Sequence, residues 1–162
     1  MYIHALPVFA MRKEETVDYH IRLAWLAISR MYNQQAMQFN ATMSMGFALL
    51  NIDMENGTPA TKIAPRMGLE PRSLTRLLRT LEEKGLIYRE IDPADKRSVR
   101  ICLTKAGCQW REEAKKIVIR FNEAVRQEIA EEKLNVFFDV IQRIARLVEK
   151  SNIYSEDLSL KN

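Results

Sequence analysis

With 162 residues, 18.9 kDa, 47% hydrophobic and 28% charged residues, the chain has the make-up of one soluble domain carrying extra helices, which excludes a disordered or membrane-embedded protein. Five Gly and five Pro are too few for the turns of an all-β sandwich or barrel. Two Cys and two His exclude a disulfide-stapled domain and a Cys/His metal site, so a helical protein without cofactor or metal, in a reduced cytoplasmic setting, is expected. The net charge of +4 is concentrated. Residues 60–107 hold eleven Lys/Arg against six acids, while the rest of the chain holds fourteen against fifteen. Such a basic middle segment is the footprint of a nucleic-acid-binding module, with a solvated face as the competing reading.

Residues 1–11 are mildly apolar, lack a basic start and are cut short by Arg12, Lys13, Glu14 and Glu15. Neither a signal peptide nor a membrane partner is expected, since no window approaches the roughly 18 apolar residues of a span. Residues 14–40 are predicted to form one helix about 40 Å long. Val17, Ile21, Ala24, Ile28, Met31 and Gln35 recur on it at steps of four and three, a single seam suited to packing against another chain.

Thr42 is the predicted N-cap of a second helix carrying Met43, Phe47, Leu49 and Leu50, with Asn56-Gly57 as its stop. Thr58-Pro59 is read as a cap followed by proline at the first helical position, opening a short helix to Arg66 that Gly68 breaks. Pro71 opens the next helix, which runs to about Lys84 and is closed by Gly85. Leu86–Ile91 and Val99–Leu103 are predicted strands, the second with Val99, Ile101 and Leu103 inward and Arg100 and Cys102 outward. Between them, residues 92–97 make a polar turn, so the pair is a hairpin with a basic tip. Thr104 caps a helix to about Ile129 with Trp110, Ala114, Ile117, Phe121, Ala124 and Val125 in one stripe. A last helix, from about Glu131 to Lys150, carries Leu134, Phe137, Phe138, Ile141, Ile144, Ala145 and Val148, and residues 151–162 form a polar, frayed tail.

Two short helices joined at a glycine and followed by a charged hairpin are the order of a winged helix-turn-helix. Ile63, Ala64, Met67, Gly68, Leu69, Leu74 and Leu77 have the spacing of such a unit, with a small residue at the helix crossing and glycine four later. On the second helix Leu74, Leu77, Leu78 and Leu81 share one face, and Arg72, Arg76 and Arg79 recur on another, near Ser73 and Thr75. Guanidinium forks on such a face grip phosphates or guanine edges in a major groove. The competing account of the helix is an amphipathic rod with a solvated arginine face. The hairpin tip, a second basic element with no evident packing purpose, favours DNA.

Residues Arg72 to Gly107 resemble the core of the MarR (multiple antibiotic resistance regulator) transcription factors. The resemblance rests on Thr75-Arg76-Leu77, Leu81-Glu82-Glu83-Lys84-Gly85-Leu86-Ile87, Asp95-Lys96-Arg97 and Leu103-Thr104-Lys105-Ala106-Gly107, and extends over about residues 58–107. It implies a mainly α fold with a small β-hairpin wing: residues 1–40 a dimerisation helix, 41–107 the winged lobe, 108–150 two further dimerisation helices. It also implies a homodimeric, ligand-responsive regulator of double-stranded DNA operators with inverted-repeat symmetry. Arg72, Ser73, Thr75, Arg76 and Arg79 would serve the major groove, and Lys96 and Arg97 the minor groove, with Asp95 steadying the wing. The chain departs from the family pattern at Met45, where Gln is common, and at Glu70-Pro71, which replaces a polar cap.

A small aromatic effector, also implied by the resemblance, would find an apolar wall and polar handles in His20, Trp25, Arg30, Met43 and Phe47; interface packing is the competing account of Trp25. The sequence carries no phosphate loop or catalytic constellation, so no enzyme is expected. The rival function is a winged-helix module that binds protein instead of DNA. Family members that sense peroxide place the reactive cysteine in the first helix, where this chain has none. Cys102 and Cys108 are read as fillers, although a thiol in a helix's first turn, as at Cys108, can respond to oxidants.

Overall fold

The structure is a computed structural model that describes residues 12–150 and 153; most of the tail 151–162 and the apolar residues 1–11 lie outside the described residues. A 3-10 turn at Lys13–Glu15 precedes helix α1 (Val17–Met37), followed by α2 (Met43–Leu50), strand β1 (Thr58–Pro59), α3 (Ala60–Met67), α4 (Pro71–Glu83), β2 (Ile87–Ile91), β3 (Val99–Leu103), α5 (Lys105–Glu128) and α6 (Glu131–Lys150). The fold is mainly α with a small antiparallel sheet, the class expected. The chain forms two compact units, one of residues up to 118 and one from 119 onward.

In the first unit α2, α3, α4 and the sheet close around one core: Met45, Ala48, Leu49, Ile52, Ile63, Leu74, Leu78, Leu81, Leu86, Ile87 and Ile101, flanked by Trp110. Met45, where family members often have Gln, belongs to this core, so an apolar residue there fills space instead of demanding polar partners. The N-cap of α2 is Thr42, whose Oγ1 accepts the Met45 N–H at 3.3 Å. Gly46 brings α2 within 3.5 Å of the Ala114 Cβ, counted from the Cβ that alanine would carry there.

Three sequence expectations are corrected. Helix α2 ends at Leu50 instead of reaching Asn56-Gly57, because polar side chains take over the backbone. Asn51 Nδ2 donates to the Phe47 carbonyl, and Asp53 Oδ1 accepts the amides of Glu55 and Asn56. Those amides hold the Asp53 carboxyl below its usual range, the Asn56 bond first among the causes. Thr58-Pro59 is a strand, not a helix cap. Thr58 pairs with Ile101, and its hydroxyl accepts the Asp53 amide and donates to the Asn51 carbonyl, which removes it from any capping role at α3. The sheet therefore has three strands in the order β1-β3-β2.

The third correction concerns β3. Cys102, expected outward, is buried, and Val99, expected inward, is 40% exposed. Gly57, just before the added strand, lies against Cys102 with φ +63, and a Cβ there would meet the Cys102 sulfur at 2.6 Å, so the segment leading into β1 packs beside a side chain that a two-stranded hairpin would leave open at its edge.

In the second unit α6 buries Leu134 and stacks Phe137 against Phe138 at 5.8 Å between ring centroids. Val136, Phe137, Val140, Leu147 and Val148 remain exposed. The predicted seam of α1 is likewise largely uncovered, with Val17 and Ile21 exposed and Ile28, Met31 and Gln35 half-buried.

Candidate nucleic-acid interface

The helix-turn-helix is built by Gly68 and Pro71. Gly68 ends α3 in the left-handed conformation at φ 61, which reverses the chain within three residues, and Pro71 occupies the first position of α4, where its missing N–H costs nothing. Helix α4 buries Leu74, Leu78 and Leu81 and half-buries Leu77, so register leaves Arg72, Ser73, Thr75, Arg76 and Arg79 exposed. Thr75 Oγ1 donates to the Pro71 carbonyl at 2.9 Å, which spends its hydroxyl hydrogen on the helix and leaves its lone pairs outward.

The arginines differ. Arg79 donates to Glu83 Oε1 at 2.8 Å with both side chains well exposed, whereas Arg72 and Arg76 make no ion pair among the described residues. Lys84, just past the helix, donates to the Asn40 carbonyl at 3.1 Å, fastening the end of α4 to the corner between α1 and α2.

The wing pairs β2 with β3 in the register Ile87 to Leu103 and Ile91 to Val99. Its turn closes on itself: Asp92 N–H donates to the Ser98 carbonyl, Ser98 N–H to the Asp95 carbonyl, and Asp95 N–H to the Asp92 carbonyl. Asp95 holds the turn through the Arg97 backbone, its Oδ1 accepting the Arg97 amide at 3.0 Å, and the Arg97 guanidinium makes no ion pair with it. Lys96 and Arg97 are exposed at the tip without an ion pair among the described residues.

Asp92 and Arg100 are the site residues that sequence reading missed. Asp92 is nearly fully buried, its Oδ1 accepting the Ala94 amide at 2.9 Å and its Oδ2 the Arg100 guanidinium at 3.0 Å. The Ala94 amide and then Arg100 hold its carboxyl below the usual range, against the opposing effect of burial. In the sequence Asp92 is one of several polar turn residues and Arg100 one of several strand-facing bases, eight positions apart with no motif joining them.

A cavity of about 360 Å³ brings together three of the five residues assigned to an effector: Trp25 from α1 with Met43 and Phe47 from α2. Asn51, Arg66 and Leu69 supply more of the wall, and sequence reading did not assign them to it. His20 and Arg30 do not line it. His20 Nε2 lies 2.7 Å from the Glu14 carbonyl oxygen in the turn before α1, and Arg30 Nε donates to the Leu26 carbonyl within α1.

Cys102 Sγ donates to Glu90 Oε2 at 3.7 Å; burial first and then the Glu90 charge push the thiol above its ordinary pKa. That is the opposite of what a reactive thiolate needs. No cluster of three metal-ligating side chains occurs among the described residues, and no helix there is long and apolar enough to cross a membrane.

The MarR family model matches residues 42–99, from the N-cap of α2 to the start of β3. The HTH-type transcriptional regulator SarZ of Staphylococcus aureus is 26% identical over 130 residues, covering 80% of this chain and 84% of SarZ. Among solved structures, the S. aureus MepR–DNA complex is 25% identical with a TM-score of 0.74, covering 80% of this chain and 96% of MepR. The repressor CouR, from Rhodococcus jostii RHA1, bound to a 23-mer DNA duplex, is 25% identical with a TM-score of 0.71, covering 82% of this chain and 94% of CouR. A buried-leucine second helix, a closed basic wing and these likenesses converge: residues 42–99 form a winged helix-turn-helix that matches the MarR family model, and the chain is similar to DNA-binding transcriptional regulators.

Proposed function

We propose that the chain works as a cytoplasmic homodimer that binds a pseudo-palindromic duplex operator, with α4 in the major groove and the wing in the minor groove of each half-site. The observation that carries this reading is the division of α4, which buries Leu74, Leu78 and Leu81 while the Arg72 and Arg76 side chains stand exposed without an ion pair among the described residues. Arg76 reads a base edge bidentately, Arg72 with Ser73 and Thr75 holds the helix N-terminus on the backbone, and Arg79, already paired with Glu83, contacts phosphate. Lys96 and Arg97, on a turn stiffened by Asp95, enter an A·T-rich minor groove, where the negative potential is strongest. Residues 1–40 and 108–150 form the dimer, supported by the exposed apolar residues of α1 and α6.

The cavity holding Trp25, Met43 and Phe47 accommodates a small aromatic effector, within the usual volume range of ligand sites, with Arg66 available to an acidic group. A ligand acts there only by binding the DNA-competent and incompetent shapes unequally. Phenolic and aromatic acids should change both the melting temperature and the affinity for operator; a panel that changes neither removes this part.

Selection of duplexes from a random-sequence pool by the purified protein tests the reading as a whole. The expected product is an inverted repeat with half-sites about one helical turn apart and A·T-rich flanks. Enrichment of no sequence, or binding of equal strength to every duplex, would favour a winged-helix module for a protein partner.

A further inference from the structure

We infer that Arg100 is a positioning residue for DNA binding, its guanidinium fixing the direction in which the wing leaves the helix-turn-helix lobe. The inference rests on the DNA-binding reading above. The wing turn satisfies its own backbone through Asp92, Asp95 and Ser98, so those bonds set its shape but not its aim. Aim comes from the attachment at its base. Arg100 Nη2 donates to Asp92 Oδ2 at 3.0 Å, while Nη1 of the same fork donates to the carbonyls of Asn56 at 2.9 Å and Gly57 at 3.4 Å.

One planar group thus joins the first residue of the wing turn to the loop after α2. That loop is itself fixed by Asp53, which collects two of its amides, and by Thr58, whose hydroxyl bridges Asp53 and Asn51. The approach is close enough to require a residue without a side chain at position 57. A Cβ there would lie 3.1 Å from Arg100 Cγ and 2.6 Å from the Ile101 carbonyl oxygen, at φ +63. The Arg100 side chain is only 22% exposed and its Asp92 partner 6%, so the fork is sheltered and engaged within the protein, in contrast to Lys96 and Arg97 at the exposed tip. Lysine cannot reproduce it, because an ammonium offers no rigid fork spanning acceptors on two segments.

Two accounts of Arg100 make opposite forecasts. If it served DNA only as a nearby positive charge, Arg100→Lys would keep full affinity, and Asp92→Asn, which removes a negative charge, would tighten binding. If it sets the wing, both changes weaken binding. The test measures affinity of wild type, Arg100→Met, Arg100→Lys and Asp92→Asn for the duplex that the wild type selects from a random pool. Hydroxyl-radical footprints and hydrogen exchange at the Ala94, Arg97 and Ser98 amides accompany it, with a melting curve for each variant.

Positioning predicts about a tenfold loss for all three variants, the scale of one specific contact. Protection should fade in the flanking minor grooves while that of the major-groove half-sites persists. Exchange at the Ala94 amide, which Asp92 holds, should accelerate, and exchange within α4 should not. Should Arg100→Met fail to fold, Arg100→Lys and Asp92→Asn carry the same contrast. Unchanged affinity and flank protection in Arg100→Lys, or tighter binding by Asp92→Asn, overturns the role of Arg100 while the wild type still selects its duplex. A wild type that selects no duplex overturns the DNA reading itself, and the role of Arg100 with it.

Discussion

Within the winged lobe Leu49, Ile52, Ile63, Leu81 and Ile101 are at most 1% exposed, whereas Val136, Phe137, Leu147 and Val148 on α6 lie between 54% and 64% exposed. Both regions are helical and rich in Leu, Ile, Val and Phe, so composition does not separate them. The lobe can close on itself because three short helices and a sheet surround a common centre, each burying one face. A long helix has a stripe too extended for one neighbour to cover. At about 25 cal/mol per Å² of apolar surface, leaving such residues in water forgoes much of the free energy that stabilises a chain of this size, which a second copy of the chain would recover in the proposed dimer. The lobe is thus the part whose core one chain closes, and the long helices are the part whose apolar stripes the proposed dimer would cover.

The sharpest way to break this comparison is at α6. Phe137→Asp should cost about 4 kcal/mol, the scale of an interface hot spot, and shift sedimentation from dimer to monomer with loss of cooperative melting. A wild-type protein that sediments as a folded monomer at micromolar concentration would reverse the conclusion. The lobe should respond differently. Leu81→Ala removes a fully buried side chain and should cost about 3 kcal/mol in chemical denaturation while leaving the sedimentation of the folded protein unchanged.

Smaller effects separate parts of the lobe surface. Arg76→Ala should weaken the selected duplex by about 1–3 kcal/mol and random duplex much less. Arg79→Ala, losing an exposed arginine already paired with Glu83, should weaken all duplexes alike and flatten the salt dependence. Equal losses on selected and random DNA for both variants would remove the division between base and phosphate contacts.

The smallest effect expected is on the acid limb of stability. The Ala94 amide and Arg100 lower the folded-state pKa of Asp92, so its contribution is complete above the ordinary carboxylate range and is lost as pH falls through the depressed value. Melting temperatures measured below about pH 4 should therefore fall less steeply for Asp92→Asn than for wild type. Parallel acid limbs would show that the Asp92–Arg100 pair adds no pH-dependent stability.

Local chemistry made much of the molecule readable from residues alone. Thr42 caps α2, Gly68 ends α3, Pro71 opens α4, and the leucine spacing of α4 fixes which arginines face outward; each depends on neighbours within a few positions. Strand β3 has the predicted ends, Val99 and Leu103, for the same reason. The failures share a cause. Thr58-Pro59 has the local chemistry of a helix start, yet pairing of Thr58 with Ile101, forty-three residues away, makes it a strand, and Gly57, which leads into it, packs against the buried Cys102.

The candidate site divides in the same way. Exposure of Arg72, Arg76 and Arg97 follows from helix register and hairpin geometry, both periodic in sequence. That Trp25, Met43 and Phe47 line one cavity, that Asn51, Arg66 and Leu69 complete its wall and that His20 and Arg30 lie away from it all depend on how helices cross. The grip of Arg100 on Asp92, Asn56 and Gly57 joins segments up to forty-four residues apart. Short-range order is encoded by the steric and hydrogen-bonding preferences of adjacent residues. Which distant polar groups meet is decided only when the core closes and desolvation forces each buried donor and acceptor to find a partner.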